Sequence, residues 1–239
     1  QRLSRAKAKI SAAGIPYIVP GPEDWDSRLN SVLAVIYLIF NAGYSVPDAA
    51  RDLCAEAIFL AELLDDLCPR QAEVEGALAL MRFTHARSAA RVGPDGASVP
   101  PPEQDRHLWD AALIAQGQDA LNRALGRNSP GPYQIKAAIA ALNLAPTPID
   151  WPQIAALYGS LLAHEPTPVV LLNRAVAVAL AGDATSALRE VDSLSASLGP
   201  YQPYHAARAE ILARLGHRDE SIAAYDRALA LCVSAADAL

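Results

Sequence analysis

The chain has 239 residues, a formal net charge of -6 and a pI near 5.3; 52% of its residues are hydrophobic and 19% charged. That balance excludes a disordered chain and supports one large or two small domains with a sizeable core. The acidic charge excludes wholesale binding to nucleic acid or anionic lipid, and the longest apolar run, Val32 to Phe40, falls short of the roughly 20 residues that span a bilayer.

In chain order, the first stretch is "QRLSRAKAKI", in which Arg2, Arg5, Lys7 and Lys9 concentrate positive charge at the edge of an acidic chain. Gln1 in place of methionine leads us to expect a piece of a longer protein. Next, "DWDSRLNSVLAVIYLIFNAGY" places Leu29, Val32, Leu33, Ile36, Ile39 and Phe40 at helical spacing. Val35, Tyr37 and Leu38 fill the other face, so the expectation is a central, buried helix. Asn41 and Gly43 are read as its left-handed end, with Tyr44 packing back. Ser45, Pro47 and Asp48 read as the start of a second helix, which Pro69 ends. Asp65 and Asp66 are read as a solvated face.

The long loop Val92 to Asp105 is read as a divider between an N-terminal helical part and a C-terminal one. In "EQDRHLWD" a helix would put Asp105 and Trp109 on one face, with Arg106 and Asp110 alongside; the group would tie the loop to the core or line a pocket. "GPYQIKAAIAALN" puts Tyr133 and Gln134 at a helix start, with the same two readings. Asp150-Trp-Pro and Thr167-Pro mark two more helix starts. Strand signals are absent.

The C-terminal part repeats. "NRAVAVALAGDATSALREVDSL" aligns with "ARAEILARLGHRDESIAAYDRAL", Gly182 falling over Gly216 at the 34-residue offset of a tetratricopeptide unit. Ala175 then matches Ala209, Val178 matches Leu212, and Ala187 matches Ser221, while Tyr225 and Ala228 take the usual places of the second helix. Tyr158 with Pro166, and Ala57 with Pro69, mark earlier and weaker units. The predicted fold is all-α: a tetratricopeptide-like helical-hairpin array preceded by an N-terminal helical region. Asn173, Arg174, His205 and Arg208 fall on first helices of successive units and are the candidate groove residues.

Searches for catalytic patterns fail. The five histidines and three cysteines show no metal-ligand spacing, and there is no P-loop, G-x-G-x-x-G or G-x-S-x-G. We expect no enzyme activity, no cofactor and no metal. The odd, scattered cysteines (Cys54, Cys68 and Cys232) fit reduced thiols in a cytoplasmic protein.

"RLSRAKAKI" is similar to the end of the promoter-reading helix-turn-helix of bacterial sigma factors, with Arg2, Leu3, Arg5, Ala6, Lys7, Lys9 and Ile10 matching. "AAGIPYIVP", "VLAVIYLIFNAGYS", "RDLCAEAI", "GPYQIKAAIAALN", "DWPQIAALY", "LNRAVAVA" and "HAARAEILARLG" resemble, in the same order, the C-terminal extension of one group of extracytoplasmic-function sigma factors. The group usually reads N-E-G-Y where this chain has Asn41-Ala42-Gly43-Tyr44, so no role for that glutamate carries over.

The resemblance implies three regions: residues 1–13 as the tail of the helix-turn-helix, 14–98 as the helical start of the extension, and 99–239 as the repeats. It implies an intact protein that binds core RNA polymerase and promoter DNA through domains upstream of residue 1. The extension would tune transcription initiation by touching its own sigma core or a regulatory protein through the repeats, without a membrane. Two other readings stand beside it: a free-standing adaptor for other proteins, and a small-molecule sensor or enzyme with a pocket near Asn41 and Trp109.

Overall fold

The computed structural model describes residues 24–45, 52–94, 96–146 and 148–232, together with residues 5, 8–9, 11–14 and 21. Among these, eleven α-helices run in order: α1 (Trp25–Ser45), α2 (Leu53–Leu67), α3 (Ala72–His85), α4 (Ala111–Gly126), α5 (Pro132–Leu144), α6 (Trp151–Leu161), α7 (Pro168–Leu180), α8 (Ala184–Ser193), α9 (Ser195–Leu198), α10 (Gln202–Arg214) and α11 (Arg218–Ala230). Three short 3-10 turns sit between α3 and α4. The described residues contain no strand, only a single bridge between Val92 and Ser98 inside the long loop. The fold is all-α. No described helix is long and apolar enough to cross a membrane.

Side-chain caps set the helix starts. Asp150 accepts from the Gln153 backbone N–H at 2.9 Å and Thr167 from Val170 at 3.3 Å, as their sequences predict. Asp52, Asp110 and Asp183 cap α2, α4 and α8 in the same way. The core then passes from hairpin to hairpin. Leu33, Phe40, Ala57 and Leu78 join α1, α2 and α3. Phe83, Leu121 and Ala137 join α3, α4 and α5 across the long loop. Ile139, Ile154 and Val170 continue it into α6 and α7, and Leu172, Val191 and Tyr204 into α8 and α10. Successive pairs bury their inner faces by stacking, while the α1–α2 pair keeps Val32, Val35, Leu38, Leu63 and Leu67 exposed.

The predicted 34-residue register has a matching backbone. Gly182 and Gly216 both adopt positive φ, 111° and 79°. After each, the next residue returns its N–H to an equivalent carbonyl, Asp183 to Val178 at 3.1 Å and His217 to Leu212 at 3.0 Å. Ala175 and Ala209 are both fully buried, so the paired helices approach closely. Tyr225 departs from the pattern: it is exposed and donates its hydroxyl to Glu210 at 3.2 Å, because no further described helix packs over it.

Four local readings are corrected. Helix α1 is not buried all round: Leu33, Ile36 and Phe40 face the core, but Val32, Val35 and Leu38 face solvent because only one side of α1 meets α2 and α3. It also does not end at Asn41 but runs on through Tyr44. Gly43 serves close approach there, since a Cβ would lie 2.8 Å from Leu53 Cβ and 2.9 Å from Cys54 N. Ser45 belongs to the last turn of α1, and α2 starts later, at Leu53, behind the Asp52 cap; Pro47 and Asp48 lie outside the described residues. Asp65 is not free on a solvated face: it accepts from Arg123 of α4 at 2.8 Å, while Asp66 is exposed.

Candidate functional site

Of the basic N-terminal residues, Arg5 and Lys9 are helical and exposed. Arg2 and Lys7 lie outside the described residues. Asn41 and Tyr44 occupy the last turns of α1. The Tyr44 carbonyl accepts from Arg91 Nη1 at 3.1 Å, and the Arg91 guanidinium lies 3.3 Å from the centre of the Tyr44 ring. Tyr44 also stacks on Phe40 with centroids 6.3 Å apart, so it does pack back on its own helix.

Asp105, Arg106, Trp109 and Asp110 are not on one helix face. The segment breaks into a 3-10 turn over Arg106–Leu108, with Asp105 capping it through His107 N at 2.9 Å. Trp109 closes that turn and Asp110 caps α4, accepting from Ala112 and Leu113. The two Asx caps outcompete a continuous helix because each satisfies N–H groups locally. Arg106 ties the loop down instead, donating to the Ala145 carbonyl at 3.0 Å with its guanidinium 4.8 Å from the Trp109 ring.

Tyr133 and Gln134 open α5 as predicted. Glu73 of α3 accepts from both their backbone N–H groups, at 2.9 and 3.1 Å, and so caps a helix from another element. Burial pushes the Glu73 carboxyl up against the pull of those two donors. The Gln134 side chain is buried and donates to the Ala124 carbonyl at 3.1 Å. Tyr133 meets Tyr37 edge-to-face at 5.3 Å.

In the repeats, Asn173 and Arg174 lie on α7 and His205 and Arg208 on α10. Their charges are already paired: Arg174 with Glu190 at 2.7 Å, and Arg208 with Asp192 at 2.7 Å. His205 Nε2 lies 2.8 Å from the Gly199 carbonyl. His205 and Arg208 line one shallow groove with Asp192, Ser195 and Tyr204. Asn173 and Arg174 do not line it.

Three features had no signature in sequence spacing. A cavity of about 310 Å³ lies between α1, α3, α5 and α6, lined among others by Tyr37, Thr84, Arg87, Lys136, Asn143 and Tyr158. Neither Asn41 nor Trp109 lines it. Burial first, and then the neighbouring Arg91, holds the Arg87 guanidinium below its ordinary pKa, Tyr44 works against this, and no carboxylate of the described residues is among the groups acting on it. Lys136, by contrast, is bonded to Glu165 at 2.7 Å. An open apolar groove of about 650 Å³ runs between α1 and α2, lined by the exposed Val32, Val35, Leu63 and Leu67 and the half-buried Ile39 and Leu60. Finally, Asp52, Cys54 and His85 converge at the start of α2 and the end of α3, with one ligand atom from each within 4.8 Å of the others. His85 is 31 residues from Cys54, so no local motif could reveal the group.

Residues 28–125 match the family of unknown function DUF6596. That span holds the groove, about half of the cavity lining and the Asp52–Cys54–His85 group. An uncharacterized protein of Rhizobium meliloti (strain 1021) is 42% identical over 245 residues, an alignment that takes in the whole of this chain and 58% of the relative. The chain thus spans less than two thirds of the relative's length.

Proposed function

We propose that the chain is the regulatory C-terminal extension of a bacterial sigma factor of the extracytoplasmic-function type. It has no catalytic role in this reading. The observation that supports it is the apolar groove between α1 and α2. Val32, Val35, Leu63 and Leu67 are each more than two-fifths exposed there, and contiguous apolar surface of this kind marks a contact site. A groove between two antiparallel helices fits the apolar face of a third. The occupant in this reading is a helix of the protein's own sigma core, in the part of an intact protein outside this chain. Docking there would shift the population of the transcriptionally competent state. Core RNA polymerase and promoter DNA are partners of that core. The paired charges of the repeats leave Arg174 and Arg208 as secondary contacts.

The test compares promoter-specific transcription by the intact protein, by one truncated before Trp25, and by the intact protein carrying Val35→Asp and Leu63→Asp. We expect the truncation and the double substitution to shift the output in the same direction. Unchanged output in both overturns the regulatory reading. An upstream reading frame without a sigma core would instead favour a free-standing adaptor.

A second reading, ligand sensing, draws on Arg87, a largely buried cation beside a cavity with no acidic partner among the described residues. A thermal-shift screen with small anionic metabolites tests it. Stabilisation that Arg87→Met abolishes supports this reading, and none across the panel counts against it.

A further inference from the structure

We propose that Asp52, Cys54 and His85 form a binding site for one zinc ion. The inference stands apart from the sigma-factor reading, since it rests on side chains of this chain alone. The three donors are a thiol sulfur, an imidazole nitrogen and a carboxylate oxygen, the set that zinc takes in four-coordinate protein sites. Asp52 Oδ2 and His85 Nε2 are 3.6 Å apart, and all three ligand atoms lie within 4.8 Å of one another. Bonds of about 2.0–2.3 Å to a tetrahedral zinc put ligand atoms roughly 3.3–3.8 Å apart. The Asp–His edge already has that length, and the others need at most about 1.5 Å of closure, within reach of side-chain rotation.

The group is held from three sides. Asp52 Oδ1 is fixed by the Ala55 N–H at 2.9 Å, which leaves Oδ2 to face His85. Cys54 lies in the first turn of α2, is 6% exposed, and its Sγ is 3.5 Å from the Phe40 carbonyl. A Cβ at position 43 would lie 3.1 Å from that sulfur, so the glycine keeps α1 close against it. His85 is the last residue of α3. Metal binding replaces the thiol S–H with a Zn–S bond and releases the proton to solvent, and the contact to Phe40 is given up. Three protein ligands leave a fourth position open to water or a small donor, as in zinc sites that exchange ligands. Bound zinc would clamp the start of α2, whose later residues Leu60, Leu63 and Leu67 line the apolar groove, to the end of α3.

Cobalt(II) is the probe, titrated into the untagged, reduced, metal-free 239-residue chain. We expect a thiolate-to-cobalt charge-transfer band in the near ultraviolet that saturates at one equivalent and is displaced by zinc. Cys54→Ser abolishes the band, His85→Gln weakens binding by at least about tenfold, and Cys68→Ser with Cys232→Ser leaves it unchanged. A missing band, a band that survives Cys54→Ser, or unchanged affinity in His85→Gln overturns the site. Because His85 sits at a helix end, its variant keeps the test decisive even if Cys54→Ser fails to fold.

Discussion

The Glu75 carboxylate of α3, almost wholly buried, accepts two hydrogen bonds from the Arg127 guanidinium at the end of α4, at 2.7 and 3.1 Å. Arg123 Nε approaches the same carboxylate at 3.4 Å and bonds Asp65 of α2 through its Nη2 at 2.8 Å. The buried Glu75 and the two arginines therefore link α2, α3 and α4 in one network. Removing one side of such a network leaves charge without compensation. Glu75→Ala lowers the thermal midpoint by roughly 5–10 °C. Calorimetry checks this, and a midpoint within about 1 °C of wild type would show the network to be dispensable.

Tyr133 sits where α1, α3 and α5 meet. Burial first, then Tyr37, Glu165 and Glu73, pushes its phenol up to about 12. An unfolded tyrosine ionises near its ordinary value of about 10. Between these values the folded chain holds a proton the unfolded chain has lost, so stability falls as pH rises through that window. Below it the contribution is constant. Urea denaturation at pH about 9 and about 11 will show a smaller alkaline loss in Tyr133→Phe than in wild type. Equal losses in the two proteins would assign the effect to other tyrosines.

The turns at Gly182 and Gly216 require a left-handed backbone, which costs an L-residue about 1–2 kcal/mol. Beyond the two chain neighbours, nothing lies within 4 Å of a Cβ built at either position, so backbone strain is what acts. Gly182→Ala and Gly216→Ala should each destabilise by about that amount, and the double variant by nearly the sum, since the sites share no partner. Chemical denaturation reads all three. A neutral effect at either position would break the equivalence of the two hairpins.

Ser221 takes the place that Ala187 holds one repeat earlier. It is buried and donates to the Ala209 carbonyl at 2.9 Å. Ser221→Ala loses one hydrogen bond but leaves no buried donor unpaired, so we expect a change within about 1 kcal/mol. Ser221→Leu overpacks the same contact and costs about 1–3 kcal/mol. Similar stabilities for the two variants would show that the α10–α11 interface is loosely packed.

Local signals in the sequence were enough to place several features. Asp150 and Thr167 cap where their motifs put them, Pro69 follows the end of α2, and the Gly182–Gly216 offset recurs as two equivalent turns. Each depends on atoms a few residues apart. The reading of "EQDRHLWD" as a helix failed because two aspartates cap separate turns within eight residues. The burial of α1 failed for another reason. Apolar side chains all round a helix show that it is apolar, not how many neighbours surround it.

The sequence by itself determined an all-α chain, its helix boundaries where caps are strong, and a repeat register in the C-terminal half. These follow from periodicity and from hydrogen bonds made within one or two turns. Only the tertiary structure decided which charges are consumed in ion pairs, which apolar face stays open, and that Asp52, Cys54 and His85 meet. Those outcomes depend on how helices cross, and a crossing brings together side chains whose separation along the chain carries no periodic mark. Cys54 and His85 lie 31 residues apart, and it is the packing of α2 on α3 that makes them neighbours.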